Sequence, residues 1–182
     1  MRAIRSLLGL GGEAPDVRDT ATLRQIAARL GSLDPDIARY LAAFACVLAR
    51  VAHADLDTSE AECVAMERIV AEVGALTPEH AGLVVGIARE RGAVSGGTEH
   101  YLVTRRFREI ASREQRLGLA RCLFEVAAAD ASISSTEEVE ISKIGSELGL
   151  THAEIAGLRS AFREHLAVLR PHVGRPEATD PD

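Results

Sequence analysis

"AADASISSTEEVEISKIGSELGL", residues 128–150, decides how this chain is read, because it echoes "HADLDTSEAECVAMERIVAEVGAL", residues 53–76. At an offset of 75, Asp130 falls on Asp55, Glu137 on Glu62, Ile141 on Met66, Ile144 on Ile69 and Leu148 on Val73. In each copy an apolar run leads into Ala-Asp and a short polar turn follows. A new run then opens at a Ser with a Glu three residues later. Ser-x-x-Glu is the signature of a capping box, in which Ser and Glu satisfy each other's orphan amides at a helix start. The apolar positions behind it recur at helical spacing. The repeat therefore predicts two similar helical hairpins packed as a pseudo-symmetric bundle, each covering an apolar face the other cannot hide alone.

Working outward, "DVRDTATLRQIAARLGSL" (residues 16–33) carries Leu23, Ile26, Ala27 and Leu30 on one stripe, with Gly31 as a stop. Asp34 and Pro35 supply an N-cap and a first-turn proline. Behind them Ile37, Tyr40, Leu41, Phe44, Val47, Leu48 and Val51 form the strongest helical pattern in the chain. A third helix runs from Ser59 to a stop at Gly74, and a fourth from Thr77 and Pro78 to about Arg91. "GAVSGGTEH" (residues 92–100) is the clearest internal loop. Helices are then predicted from Glu99 to Ile110, Ser112 to about Ala129, Ser134 to Leu148 and Thr151 to about Leu169. The sum is one all-α domain of seven or eight helices over residues 17–169. Residues 1–16 read as a flexible leader, and the tail 170–182, with Pro171, Gly174, Pro176 and Pro181, as disordered.

Composition supports this and excludes several functions. Aromatic residues make up 3% and Trp is absent, which suits helix packing rather than a sheet. The 21 basic and 27 acidic residues leave a net charge of -6, and nucleic-acid binding, which needs a positive field, is not expected. Cys46, Cys63 and Cys122 lie far apart in apolar runs and read as buried thiols of a reducing compartment. The apolar stretch from Tyr40 to Ala54 is interrupted by Arg50 and cannot span a bilayer. A cytoplasmic location follows, with peripheral contact at the inner membrane left open by "MRAIRSLLGL", which could equally pack on the domain.

The capping boxes explain Glu62 and Glu137 as helix punctuation, and Thr151 with Glu154 repeats the device. The aspartates need more. A carboxylate at a helix C-terminus faces the negative end of the macrodipole, yet both copies place one there. Two Asp-Glu pairs, Asp55 with Glu62 and Asp130 with Glu137, could converge on a hard divalent cation such as calcium, whose charge offsets dipole and mutual repulsion alike.

These residues carry a resemblance. Ala129, Asp130, Ile133, Ser134 and Glu137, and more loosely Ala54, Asp55, Thr58, Ser59 and Glu62, resemble the TerB-like tellurite-resistance family. There Ala-Asp-Gly-x-Ile/Val-Ser-x-x-Glu recurs in two halves of an all-helical domain. Related domains stand at the N-terminus of a membrane-anchored DnaJ-type co-chaperone. The similarity covers about residues 20–168. It implies a non-catalytic role in bacterial stress response, linked with tellurite resistance and with metal-sensing or membrane-associated assemblies. This chain departs by placing Leu56 and Ala131 where the family has Gly, and it has no His-Pro-Asp tripeptide.

Other constellations are weaker. His53, Asp55, Asp57 and Glu60 suggest a separate metal clip, but neither turn has EF-hand spacing, and no Glu-x-x-His pair exists for a di-iron bundle. No phosphate loop, nucleophile elbow or H-E-x-x-H is present, so an enzyme is not expected. The run "TRRFREIASREQR" (residues 104–116) gathers Arg105, Arg106, Arg108, Arg113 and Arg116. It reads either as a solvated helix face or as a surface for an acidic protein partner, with Arg105, Arg106 and Arg108 foremost. That second use defines the rival reading, a helical scaffold or co-chaperone-like adaptor that binds a protein and no ion.

Overall fold

The computed structural model describes residue 7 and residues 21–51, 60–91, 97–129 and 132–167. Eight helices lie within them: α1 Ala21–Gly31, α2 Pro35–Leu48, α3 Glu60–Val73, α4 Pro78–Arg91, α5 Gly97–Ile110, α6 Arg113–Ala128, α7 Ser135–Glu147 and α8 His152–Ala161. The protein is a single all-α domain, and no strand is present among the described residues. The leader and tail, apart from Leu7, and both Asp-containing turns fall outside the described residues. Leu7 itself packs against the core.

α2 is the central helix, and its sequence says why. Asp34 accepts from the amides of Asp36 (2.8 Å) and Ile37 (3.4 Å), Pro35 occupies the first turn, and every residue from Leu41 to Leu48 is buried. A helix apolar all round must be enclosed by others. α4 and α5 pack along it, α1 touches it, and Tyr40, Phe44 and Phe107 join across the α2–α5 interface with ring centroids 5.3–6.1 Å apart. α3 packs on α4 and α6, α7 on α5, α6 and α8, and α8 also on α6.

Helix starts at Ala21, Pro35, Glu60 and Pro78 are echoed in order by those at Gly97, Arg113, Ser135 and His152. Inside the two sets the packing differs. α6 and α7 pack directly and bury Leu123, Val126, Ile141 and Ile144. α2 and α3 are not among the closely packed pairs; Leu48 and Val51 are buried, while Met66 and Ile69 are half-buried at the edge of the core.

One boundary is corrected. The last helix ends at Ala161 rather than near Leu169, because the chain turns back on the loop before α7. The Ile133 amide donates to the His165 carbonyl (2.7 Å), the Ala167 amide donates to the Ile133 carbonyl (2.9 Å), and Phe162 stacks on Phe124 at 5.3 Å. These contacts bury Phe162 and Leu166, which a continued helix would carry away from the core.

Candidate functional site

The second acidic turn feeds α7 through a formed capping box. Ser134 Oγ accepts from the Glu137 amide (3.2 Å), and the Ser134 amide donates to Glu137 Oε2 (2.8 Å). Thr151 and Glu154 do the same for α8. Ser112 and Gln115 do so for α6, where the sequence reading had marked only a helix start. Glu154 is held below the usual carboxylate range, first by the Thr151 backbone amide, then by the Thr151 hydroxyl and Arg113. Of the first turn, Glu62 stands exposed in the opening turn of α3. Asp55, Ser59 and Asp130 lie outside the described residues, as do His53 and Asp57 of the separate clip. Among the described residues no three His, Cys, Asp or Glu side chains gather as metal ligands.

The flanks of the two turns nevertheless meet. An open groove of about 610 Å³ is lined by Arg50 and Val51, which precede the first turn, and by Ser135, Glu137 and Glu140, which follow the second, with His100 beside them. At its floor lies a cluster that the sequence reading did not name. The Arg50 side chain is 1% exposed. It donates from Nε (3.0 Å) and Nη2 (2.6 Å) to Glu140 Oε1, and from Nη1 to Glu147 Oε2 (2.6 Å) and Thr104 Oγ1 (2.5 Å). Thr104 in turn donates to the His100 carbonyl (3.0 Å). Every nitrogen of the guanidinium has an acceptor, which is the condition under which a buried charge is tolerated. The signal was an arginine set directly after the apolar run from Leu41 to Ala49.

Four arginines of the run are engaged within the molecule. Arg105 Nε (3.3 Å) and Arg106 Nη1 (3.0 Å) both donate to Glu109, whose carboxyl is held low by Arg106 first and Arg105 second. Arg113 pairs with Glu154 at 2.6 Å, and Arg116 donates to the Leu148 carbonyl at the C-terminal end of α7 (2.9 Å), a favourable place for a cation. Arg108 is exposed and lies over Gly149, with no carboxylate paired to it among the described residues. This pairing is what a solvated helix face shows. The three cysteines form no disulfide and are buried, and burial, with Glu125 a lesser cause, pushes the Cys122 thiol up to about 12.

Fold and groove together define an all-helical domain in which the flanks of two acidic turns line one groove beside a buried ion cluster. The chain belongs to the family described as tellurite resistance protein TerB, whose model matches residues 41–160. No curated protein and no solved structure matches it. Among the described residues no helix is long and apolar enough to cross a membrane.

Proposed function

We propose that this chain is a non-catalytic, tellurite-resistance-associated domain that binds a hard divalent cation, calcium by preference, with Asp55, Glu62, Asp130 and Glu137 as ligands. The observation that carries it is the shared groove: residues flanking both acidic turns, Val51 on one side and Ser135 and Glu137 on the other, line one opening. Glu137 spends one oxygen on the Ser134 amide, and among the described residues nothing donates to the second. Ligating carboxylates need oxygens within roughly 5 Å of one another around one ion. A cytoplasmic, bacterial stress-response setting with peripheral membrane contact belongs to the same proposal.

Thermal unfolding tests it. With calcium at about one hundred times its dissociation constant, linkage adds about 2.7 kcal/mol, an upward shift of roughly 5–10 °C for a chain of this size. Asp55→Asn with Asp130→Asn should abolish the shift. If calcium, magnesium, manganese and zinc all leave the midpoint unchanged, the cation reading fails.

A second reading has one observation in its favour. Tyr101, Leu102, Arg105 and Arg108 are all exposed along one side of α5, and Tyr101 and Leu102 are large apolar groups left in solvent. Such a stripe suits an adaptor that docks an acidic protein without an ion. Loss of partner capture on Tyr101→Ser with Arg108→Glu, with cation response intact, would favour it.

A further inference from the structure

Arg50 and Thr104 are the buried polar residues among those described, and the cation reading uses neither. Arg50 directly precedes Val51, where the described residues stop before the first acidic turn. Its two carboxylate partners are seven residues apart on one face of α7, and Glu140 lies three residues beyond Glu137, the cap of the second turn. α2 and α7 are not among the closely packed helix pairs, and the long arginine side chain reaches from just beyond α2 to α7.

We propose that the Arg50 cluster is a registry latch, which fixes the end of α2 against α7 so that the flanks of the two acidic turns move as one unit. Net stability is not its role. A buried ion cluster typically contributes no more than apolar side chains of the same volume, because desolvation offsets the attraction. Apolar contact is also indifferent to direction, whereas a guanidinium held on three nitrogens by two carboxylates and a hydroxyl admits one rotation and one axial position of α7. The outer carboxylate, Glu140, is 29% exposed at the groove, and the inner, Glu147, 10%. The latch thus has one end open to solvent and one shut in. It goes beyond cation binding and holds with or without an ion.

Native-state hydrogen exchange on the full chain, without added cations, tests the latch. The wild type is compared with Arg50→Met and with the triple replacement Arg50→Met, Glu140→Gln, Glu147→Met, which leaves no unpaired buried charge. In the wild type, amides of Ala45–Leu48 and of Ile141–Ile144 should exchange together with those of α4 and α6. In the triple variant the first two sets should exchange about tenfold faster than α4 and α6, while the thermal midpoint stays within about 4 °C. Unchanged relative protection would overturn the proposal. So would a uniform loss of protection with a large fall in midpoint, or a triple variant that does not fold, since either makes the cluster a source of net stability.

Discussion

α2 and α6 occupy matching places in the two sequence copies and settle into different surroundings. α2 is enclosed on all sides from Leu41 to Leu48 and runs into the buried Arg50. α6 buries Leu119, Ala120, Cys122, Leu123, Phe124, Val126 and Ala127 but interrupts that run with exposed Arg121, and it carries half-buried Glu125 where the offset of 75 aligns it with Arg50. The hairpins differ in the same sense, since α7 packs directly on α6 whereas α3 leans on α4 and α6 rather than on α2. Caps and turns act within a few residues, so the same letters give the same helix start in both copies. Packing partners come from distant sequence, and the same letters need not find the same neighbours.

The largest expected effect breaks that comparison at its most unequal pair. Arg50→Met alone strands two carboxylates beside an apolar side chain and should cost about 3–5 kcal/mol, whereas Glu125→Met should cost under about 1 kcal/mol. Denaturant midpoints at constant slope measure both. Next, Ile144→Ala should cost about 3 kcal/mol and its counterpart Ile69→Ala about 1–2 kcal/mol, because the first opens a cavity in a closed core and the second trims a half-buried edge. Equal losses would mean that the two hairpins pack alike after all.

The helix ends sharpen the contrast at smaller scale. α3 closes with Leu76 donating to the Ala71 carbonyl (3.1 Å) and Ala75 at φ 54°; α7 closes with Leu150 donating to the Gly145 carbonyl (3.0 Å) and Gly149 at φ 75°. The same cap is thus made once with alanine in the left-handed region and once with glycine. Ala75→Gly should stabilise by up to about 1 kcal/mol. Gly149→Ala should destabilise by about 1–2 kcal/mol, because its Cβ would also sit 2.9 Å from the Arg108 guanidinium.

The gentlest effect is alkaline. Burial raises the Cys122 thiol from 9.0 to about 12 and the Tyr40 phenol from 10.0 to about 12. Both raised groups favour the neutral folded state, so their contribution is complete below the unfolded values of 9.0 and 10.0 and is lost as pH rises toward 12. Cys122→Ala should flatten the decline that begins near pH 9, read from unfolding midpoints across that range.

Much of the fold was legible because its signals are local. Asp34-Pro35, Ser134-x-x-Glu137 and Thr151-x-x-Glu154 each mark a helix start that the structure realises with hydrogen bonds of 2.8–3.4 Å. The end of α8 was not legible, because Phe162 and Leu166 fit a helical stripe as well as the turn that pairs His165 and Ala167 with Ile133. Nor did the left-handed position after α3 follow from Gly74, since the cap register places it one residue later, at Ala75. At the site, Glu137 was found through its cap. Arg50, Glu140 and Glu147 were not, because three residues spread over two distant helices become a cluster only when tertiary packing unites them.

The most direct measurement is a calorimetric titration of the full chain with calcium, run beside the Asp55→Asn, Asp130→Asn pair of replacements. If the two acidic turns serve one cation across the groove, the wild type takes up calcium with saturable heat at one ion per chain, and either single replacement weakens it by a similar factor. Two independent sites of unequal affinity, or no heat in the wild type, would contradict a shared site.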